Sequence, residues 1–414
     1  MKCFLILPAL LASSIASASG NRGLPPDEAI ERAIEDHPLV QSALARRDAA
    51  RETARGLRAG PHEFSVSGSY VERRIDRDGT YSEYDATLER GIRLPGKAAL
   101  DRKVGELGMA AAEYRVADTR HRAALLFNEL WWDWLTAQAD VKAAEAAVAN
   151  LSSALSAVER RVTLQDAAPV DADQARAALA TARLSLEQRQ ARAAIARSRI
   201  EVQFPSLPLP VEAPELPEPE LPPTGLGLLR DQVLVQNHSM PGAQAEADRQ
   251  SALALRAQKD RIADPTVGLR LFSERGGAER GIGVVASIPI GGKARAAIAG
   301  QAAADARAAA ADFAAARYTA QETAATDYAE ASKRWTAWQR SIEARSSSEK
   351  AAQRLRQGYR LGGVDLADLL YAERQAQEAL NAETAARADA LRAFSRLRID
   401  AHELWPNGHQ SGVQ

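Results

Sequence analysis

The stretch "LERGIRLPGKAAL" (Leu88–Leu100) is echoed far downstream by "VASIPIGGKARAA" (Val285–Ala297). Ile92 and Ile288, Gly96 and Gly292, and Lys97 and Lys293 correspond at one offset of 196 residues, and each copy then enters an alanine-rich run. Further upstream, His37 corresponds to His238 and Val66 to Val267 at an offset of 201 residues. The difference falls in the turn between the two motifs. An insertion confined to a turn is what an internal duplication leaves behind.

Around the echo the sequence alternates. "EFSVSGSYVERRI" sets Phe64, Val66, Gly68 and Tyr70 against Ser65, Ser67 and Ser69. After the turn "DRDGT", Tyr84, Ala86, Leu88, Ile92 and Leu94 stand against Asp85, Thr87, Glu89, Gly91 and Arg93, with Arg90 the exception on the apolar side. The second copy sets Val267, Leu269 and Leu271 against Thr266, Gly268 and Arg270, then places Ile282, Val284, Ala286, Ile288 and Ile290 on one face. Period-two alternation across a Gly-containing turn predicts β-hairpins over 63–95 and 265–290.

A helix is expected before each hairpin, over 26–58 with a kink at His37-Pro38, and from Asn237-His238 to about Arg261. A far longer one follows each. Trp134, Ala137, Val141, Ala144, Val148, Leu151, Leu155, Val158 and Val162 are spaced by threes and fours, a heptad seam. From Lys97 to Val162 such a helix is on the order of 100 Å long. "LQDAAPV" reverses the chain at a tip near 164–170, and "LGGV" does so again at 361–364. The expected organisation is a secretory leader over 1–18, a first repeat over 19–203, a proline-rich connector over 204–225, a second repeat over 226–404 and a flexible tail over 405–414. The only cysteine, Cys3, lies in the leader.

A formal net charge of −1 gives no electrostatic reason to expect nucleic acid. The histidines sit singly, without an i,i+4 pair or a carboxylate cluster of ligand spacing, so no metal site is assigned. No Ser-His-Asp grouping, phosphate loop or dinucleotide fingerprint appears, and neither enzyme activity nor a cofactor is expected.

If the apolar strand faces meet lipid, no sheet edge can stay open, because each unpaired backbone group in hydrocarbon costs several kcal/mol. Four strands cannot close, since the smallest membrane barrels have eight; three copies would supply twelve, so a homotrimer is expected. Asp85, Glu89, Arg93, Arg270 and Glu274 would then line a wet lumen, and the helices would hang below as a periplasmic tube.

With the repeat of helix, hairpin and long helices, the "LPGK" and "IGGK" junctions and the two tips in view, the chain resembles the TolC family of outer-membrane efflux ducts. "AIEDHPLV", "LPGKAALDRK" and "GYRLGGVDLADLLYAERQAQEAL" are most similar to its CzcC-like, heavy-metal-efflux branch. The family's Asn-Pro before the strands is replaced here by "GPHEF" and "ADPTV", and the first tip lacks the common glycine. The resemblance implies a passive duct in a Gram-negative outer membrane, extending into the periplasm and joined to a periplasmic adaptor and an inner-membrane pump of the resistance-nodulation-division type. It implies heavy-metal cations as cargo, with organic toxins or secreted proteins as the alternatives.

Asp365 and Asp368 match the family's Val-Asp-x-x-Asp and are implied to form acidic rings that gate the periplasmic aperture; helix capping is the alternative. The small, apolar tips, Ala167, Ala168, Pro169 and Val170 with Leu361, Gly362, Gly363 and Val364, are implied to dock the adaptor; a plain tight turn is the alternative. A periplasmic adaptor or a structural coiled-coil spacer are the rival classes. Neither accounts for two alternating hairpins.

Overall fold

The computed structural model describes residues 23–405, so the expected leader lies outside the described residues, as does all of the expected tail except Trp405. The elements run α1 (Asp27–Glu35), α2 (Pro38–Ala59), β1 (Phe64–Ile75), β2 (Gly79–Gly91), α3 (Lys97–Thr163), α4 (Pro169–Gln203), α5 (Leu226–Gln236), α6 (Ser239–Lys259), β3 (Thr266–Glu274), β4 (Glu279–Ser287), α7 (Lys293–Arg360) and α8 (Leu366–Asp400). Long paired helices and one antiparallel sheet make up the fold.

The helix expected over 26–58 is two helices. Pro38 has no amide hydrogen to give, so α1 stops at Glu35; His37 takes an extended backbone, and its Nδ1 accepts the Leu39 amide at 3.2 Å to cap α2. Nothing comparable interrupts α3 and α7, which hold 67 and 68 residues and span about 100 Å each. Small residues let their neighbours come close: a Cβ on Gly105 would sit 3.0 Å from the Ala54 Cα, so α2 and α3 meet nearly backbone to backbone.

Each long helix pairs with the shorter helix that follows it, α3 with α4 and α7 with α8, and α3 against α8 joins the two halves. The main core lies near the middle of these pairs. Phe127, Trp131, Trp132 and Trp134 from α3 pack there with Ile30, Ile200 and Phe204. Trp405 joins the same core, is 6% exposed and donates from Nε1 to Asp27 at 2.9 Å. The expectation of a loose tail fails at this residue, because an indole at the end of α8 finds an apolar slot and an acceptor. The connector between α4 and α5 buries Leu207 and Leu216 against this core without forming helix or strand.

The four strands form a single sheet in the order β1-β2-β3-β4, antiparallel throughout. The central pairing, β2 with β3, joins strands from different repeats. β1 and β4 are the edges.

Candidate functional site

The strand registers bring the alternating stripes together. Val66, Leu88, Leu269 and Val284 form one row across the sheet, and Gly68, Ala86, Leu271 and Ile282 form the next. No described residue covers this apolar face: Val66 is 78% exposed, Ile282 77% and Val284 75%. An exposed, continuous apolar sheet face of this kind marks a partner or a membrane.

The opposite face is mainly polar, with Phe272 and Val285 among its polar side chains. Ser67, Thr87 and Arg270 share a row, as do Ser69 and Asp85. Arg270 donates to Asp85 across the β2–β3 boundary, and Ser65 donates to Glu89 at 3.3 Å. Glu274 ends β3 on the same face, opposite Glu279. Arg93 is a correction. It lies beyond the end of β2, 14% exposed, with Nη1 donating to Asp101 at 3.1 Å and to the Leu57 carbonyl at 3.2 Å. The chain has left the ladder by then because Asp264 captures the Leu94 amide at 3.0 Å.

A polar cluster forms at that junction. Lys97, the first residue of α3, is 1% exposed, and its Nζ donates to Asp264 at 2.8 Å, to Asp260 at 2.9 Å and to the Ile262 carbonyl at 2.7 Å. Asp264 also meets His62 Nε2 at 2.9 Å. Burial pushes its carboxyl up, but the hydrogen bonds from Lys97, the Leu94 amide and His62 outweigh this and hold it at about 2. Asp101 accepts from Arg256 at 2.6 Å as well as from Arg93. The repeated lysine was visible in the sequence; its acidic partners were not, because they come from the other repeat.

At the far end both tips close with the same hydrogen bonds. In the first, the Gln165 amide donates to Val162 at 3.0 Å and the Asp166 amide to Arg161 at 2.8 Å. In the second, Gly362 donates to Tyr359 at 3.1 Å and Gly363 to Gly358 at 3.0 Å. This is the Schellman pattern, and its pivot needs positive φ. Gly362 supplies 76°, and Gln165 holds 60° in the tip that lacks glycine. Leu361 is 80% exposed and Val170 56%, while Ala168, Pro169, Gly362 and Gly363 are also exposed and Ala167 and Val364 are half-buried. The two turns are neighbours: Val158, Ala172, Ala175, Tyr359, Leu366 and Leu369 form one apolar cluster beneath them.

Asp365 caps α8, accepting the Asp368 amide at 2.9 Å, so the capping alternative describes its contact within the chain. Both carboxylates are exposed. At the matching start of α4, Asp171 accepts the Ala168 amide at 3.2 Å, the reciprocal half of a capping box.

Sequence reading missed a second polar cluster, where α3, α7 and α8 meet the start of α6. His121 Nε2 lies 2.6 Å from Asp400, Arg396 Nε lies 3.0 Å from Asp327, and the His402 ring stacks on His121 and meets His238 edge-on. Burial, then the neighbouring Asp400, raises the Asp327 carboxyl to about 8; burial, then His238 and His121, lowers His402 to about 4. Among the described residues no group of three or more such side chains is arranged to hold a metal ion, and no helix is long and apolar enough to cross a membrane.

No family model matches the chain, and no curated protein sequence does. Solved structures do. The outer membrane protein VceC of Vibrio cholerae aligns with a TM-score of 0.76 at 18% identity, over 90% of this chain and 95% of that one. The CmeC outer membrane channel of Campylobacter jejuni gives 0.76 at 15% identity, over 93% and 86%. The outer-membrane channel OprN gives 0.72 at 22% identity, over 92% and 90%. The chain has the TolC-like fold that these outer-membrane channels share.

Proposed function

We propose that this chain is the outer-membrane exit duct of a tripartite efflux system, a passive conduit rather than an enzyme. The observation that carries the reading is the uncovered apolar face of a four-stranded sheet whose other face is charged. In lipid, the apolar face meets acyl chains, and three copies close the wall around the polar face. Asp85, Glu89, Arg270 and Glu274 then border the water-filled bore. The long helices extend into the periplasm, where the tips meet an adaptor protein and, through it, an inner-membrane pump.

Asp365 and Asp368 stand at the narrow end as stacked acidic rings, a reading supported by their exposure and by the match to the family's Val-Asp-x-x-Asp. Heavy-metal cations are the proposed cargo. This rests on the sequence likeness to the CzcC-like branch and on acidic rings that would concentrate cations.

Membrane fractionation tests the duct: a detergent-requiring trimer in outer membranes is expected, and a buffer-soluble periplasmic monomer overturns it. Deleting the gene and measuring tolerance to zinc, cobalt, cadmium, copper and silver beside a panel of dyes tests the cargo. Loss of metal tolerance is expected; dye sensitivity with unchanged metal tolerance overturns the metal reading and leaves the duct standing.

A further inference from the structure

We infer that the two open sheet edges are complementary between successive copies of this chain, β4 of one copy pairing with β1 of the next in a single register. That register sets Arg280 opposite Glu72 and Ile282 opposite Tyr70, and brings Lys293 of one copy onto Glu63 of its neighbour. The inference rests on the proposed membrane duct and adds the address of its seams.

The template lies within the chain. β2 belongs to the first repeat and β3 to the second, so their contact is already one repeat meeting another. It pairs Leu88 with Leu269 and Tyr84 with Ser273, and it is locked by Lys97 on Asp264. β2 ends at Gly91 and α3 begins at Lys97; β4 ends at Ser287 and α7 begins at Lys293, both displaced by the same 196 residues. α2 begins at Pro38 and α6 at Ser239, displaced by 201. Carrying the internal contact forward by these offsets turns Leu88–Leu269 into Val284–Gly68, Tyr84–Ser273 into Arg280–Glu72, and Lys97–Asp264 into Lys293–Glu63. The two hairpins differ by two residues in register, Val66 pairing with Leu88 but Leu269 rather than Val267 with Val284, so side-chain complementarity chooses among registers two residues apart.

Two observations independent of the offsets agree, and a third comes from the lysine that the offsets align. First, the transferred register makes two opposite-charge pairs, Arg280 with Glu72 on one face and Glu279 with Arg73 on the other. Sliding it two residues one way sets Arg280 against Arg74 and Ile282 against Glu72; sliding it the other way sets Arg280 against Tyr70 and Glu279 against Val71. Second, the apolar stripe continues unbroken across the seam, with Ile282 beside Tyr70 and Ala286 beside Val66. A one-residue slip would turn those side chains to the wrong face. Third, Lys97 is buried on two aspartates, whereas Lys293, at the same point of the same motif, is exposed and has no ion pair among the described residues. Glu63 is likewise exposed.

The full-length chain in outer membranes provides the test. Ala286→Cys combined with Val66→Cys should give interchain disulfides up to a trimer on a non-reducing gel. Ala286→Cys with Gly68→Cys, the slid register, should give about fivefold less. A stronger crosslink from the slid pair, or none from either in a chain that still assembles in the membrane, overturns the register and leaves the duct intact. A chain recovered as a soluble monomer overturns both. Arg280→Glu alone should reduce the SDS-resistant assembly about fivefold, and adding Glu72→Arg should restore it. Lys293→Glu with Glu63→Lys should behave in the same way. Failure of both reversals to rescue also overturns the register.

Discussion

Lys97 Nζ lies 2.8 Å from Asp264, binding the first turn of one repeat's long helix to the strand entry of the other. The ammonium is almost wholly removed from water, so taking away its charge leaves Asp264 and Asp260 facing an apolar side chain. Lys97→Met should destabilise the fold by about 3–5 kcal/mol. Lys293→Met, at the exposed equivalent, should leave the isolated chain unchanged. Denaturant unfolding of both variants in detergent checks the contrast, and equal losses would contradict it.

The same pair sets an acid limit. Asp264 titrates near 2 in the fold, below its ordinary value of 3.8. The stability this confers is present above pH 4 and is lost as pH falls from about 4 through 2. It amounts to about 2 kcal/mol. Asp264→Asn should be less stable at pH 7 and should show a shallower loss below pH 4.

Asp327 has the opposite sign. Its carboxyl is held protonated up to about pH 8, beside Asp400 and Arg396, so its contribution is full below pH 4 and declines as pH rises through 8. Asp327→Asn should match the parent below pH 4, exceed it increasingly as pH rises from about 4 to 8, and keep a constant excess above 8. A variant weaker at every pH would mean that the carboxylate, not the acid, is the form the fold needs.

At the proposed aperture, capping and gating separate by substitution. Asp365→Ser keeps an N-cap oxygen and removes the charge, and Asp368→Asn removes the other. In planar bilayers the double variant should conduct more and be blocked less by multivalent cations, with its melting temperature unchanged. Unaltered conductance and block would leave these carboxylates as caps alone.

Gln165 holds φ 60° where the second tip uses Gly362. Gln165→Gly should therefore be neutral or stabilising by up to about 1 kcal/mol, while Gly362→Gln should destabilise by a similar amount.

Much of the fold was legible because its signals are local. Val66, Leu88, Leu269 and Val284 alternate by strand geometry, and the heptad seam from Trp134 to Val162 follows from helix geometry. Arg93 kept the alternation in sequence and lost it in space, since the departure from the ladder is imposed by Asp264, far away in the chain. The His121–Asp400 contact and the burial of Trp405 are similarly invisible to spacing: both arise where the end of α8 folds back on the first repeat. Sequence pattern reports what a residue's neighbours make of it, and the polar clusters here are made by distant ones.

The apolar knot shared by Val158, Ala175, Tyr359 and Leu369 has a mechanical consequence. The two turns share one patch of grease, so a load on either is felt by its twin. Displacing one turn therefore strains the patch it shares with the other.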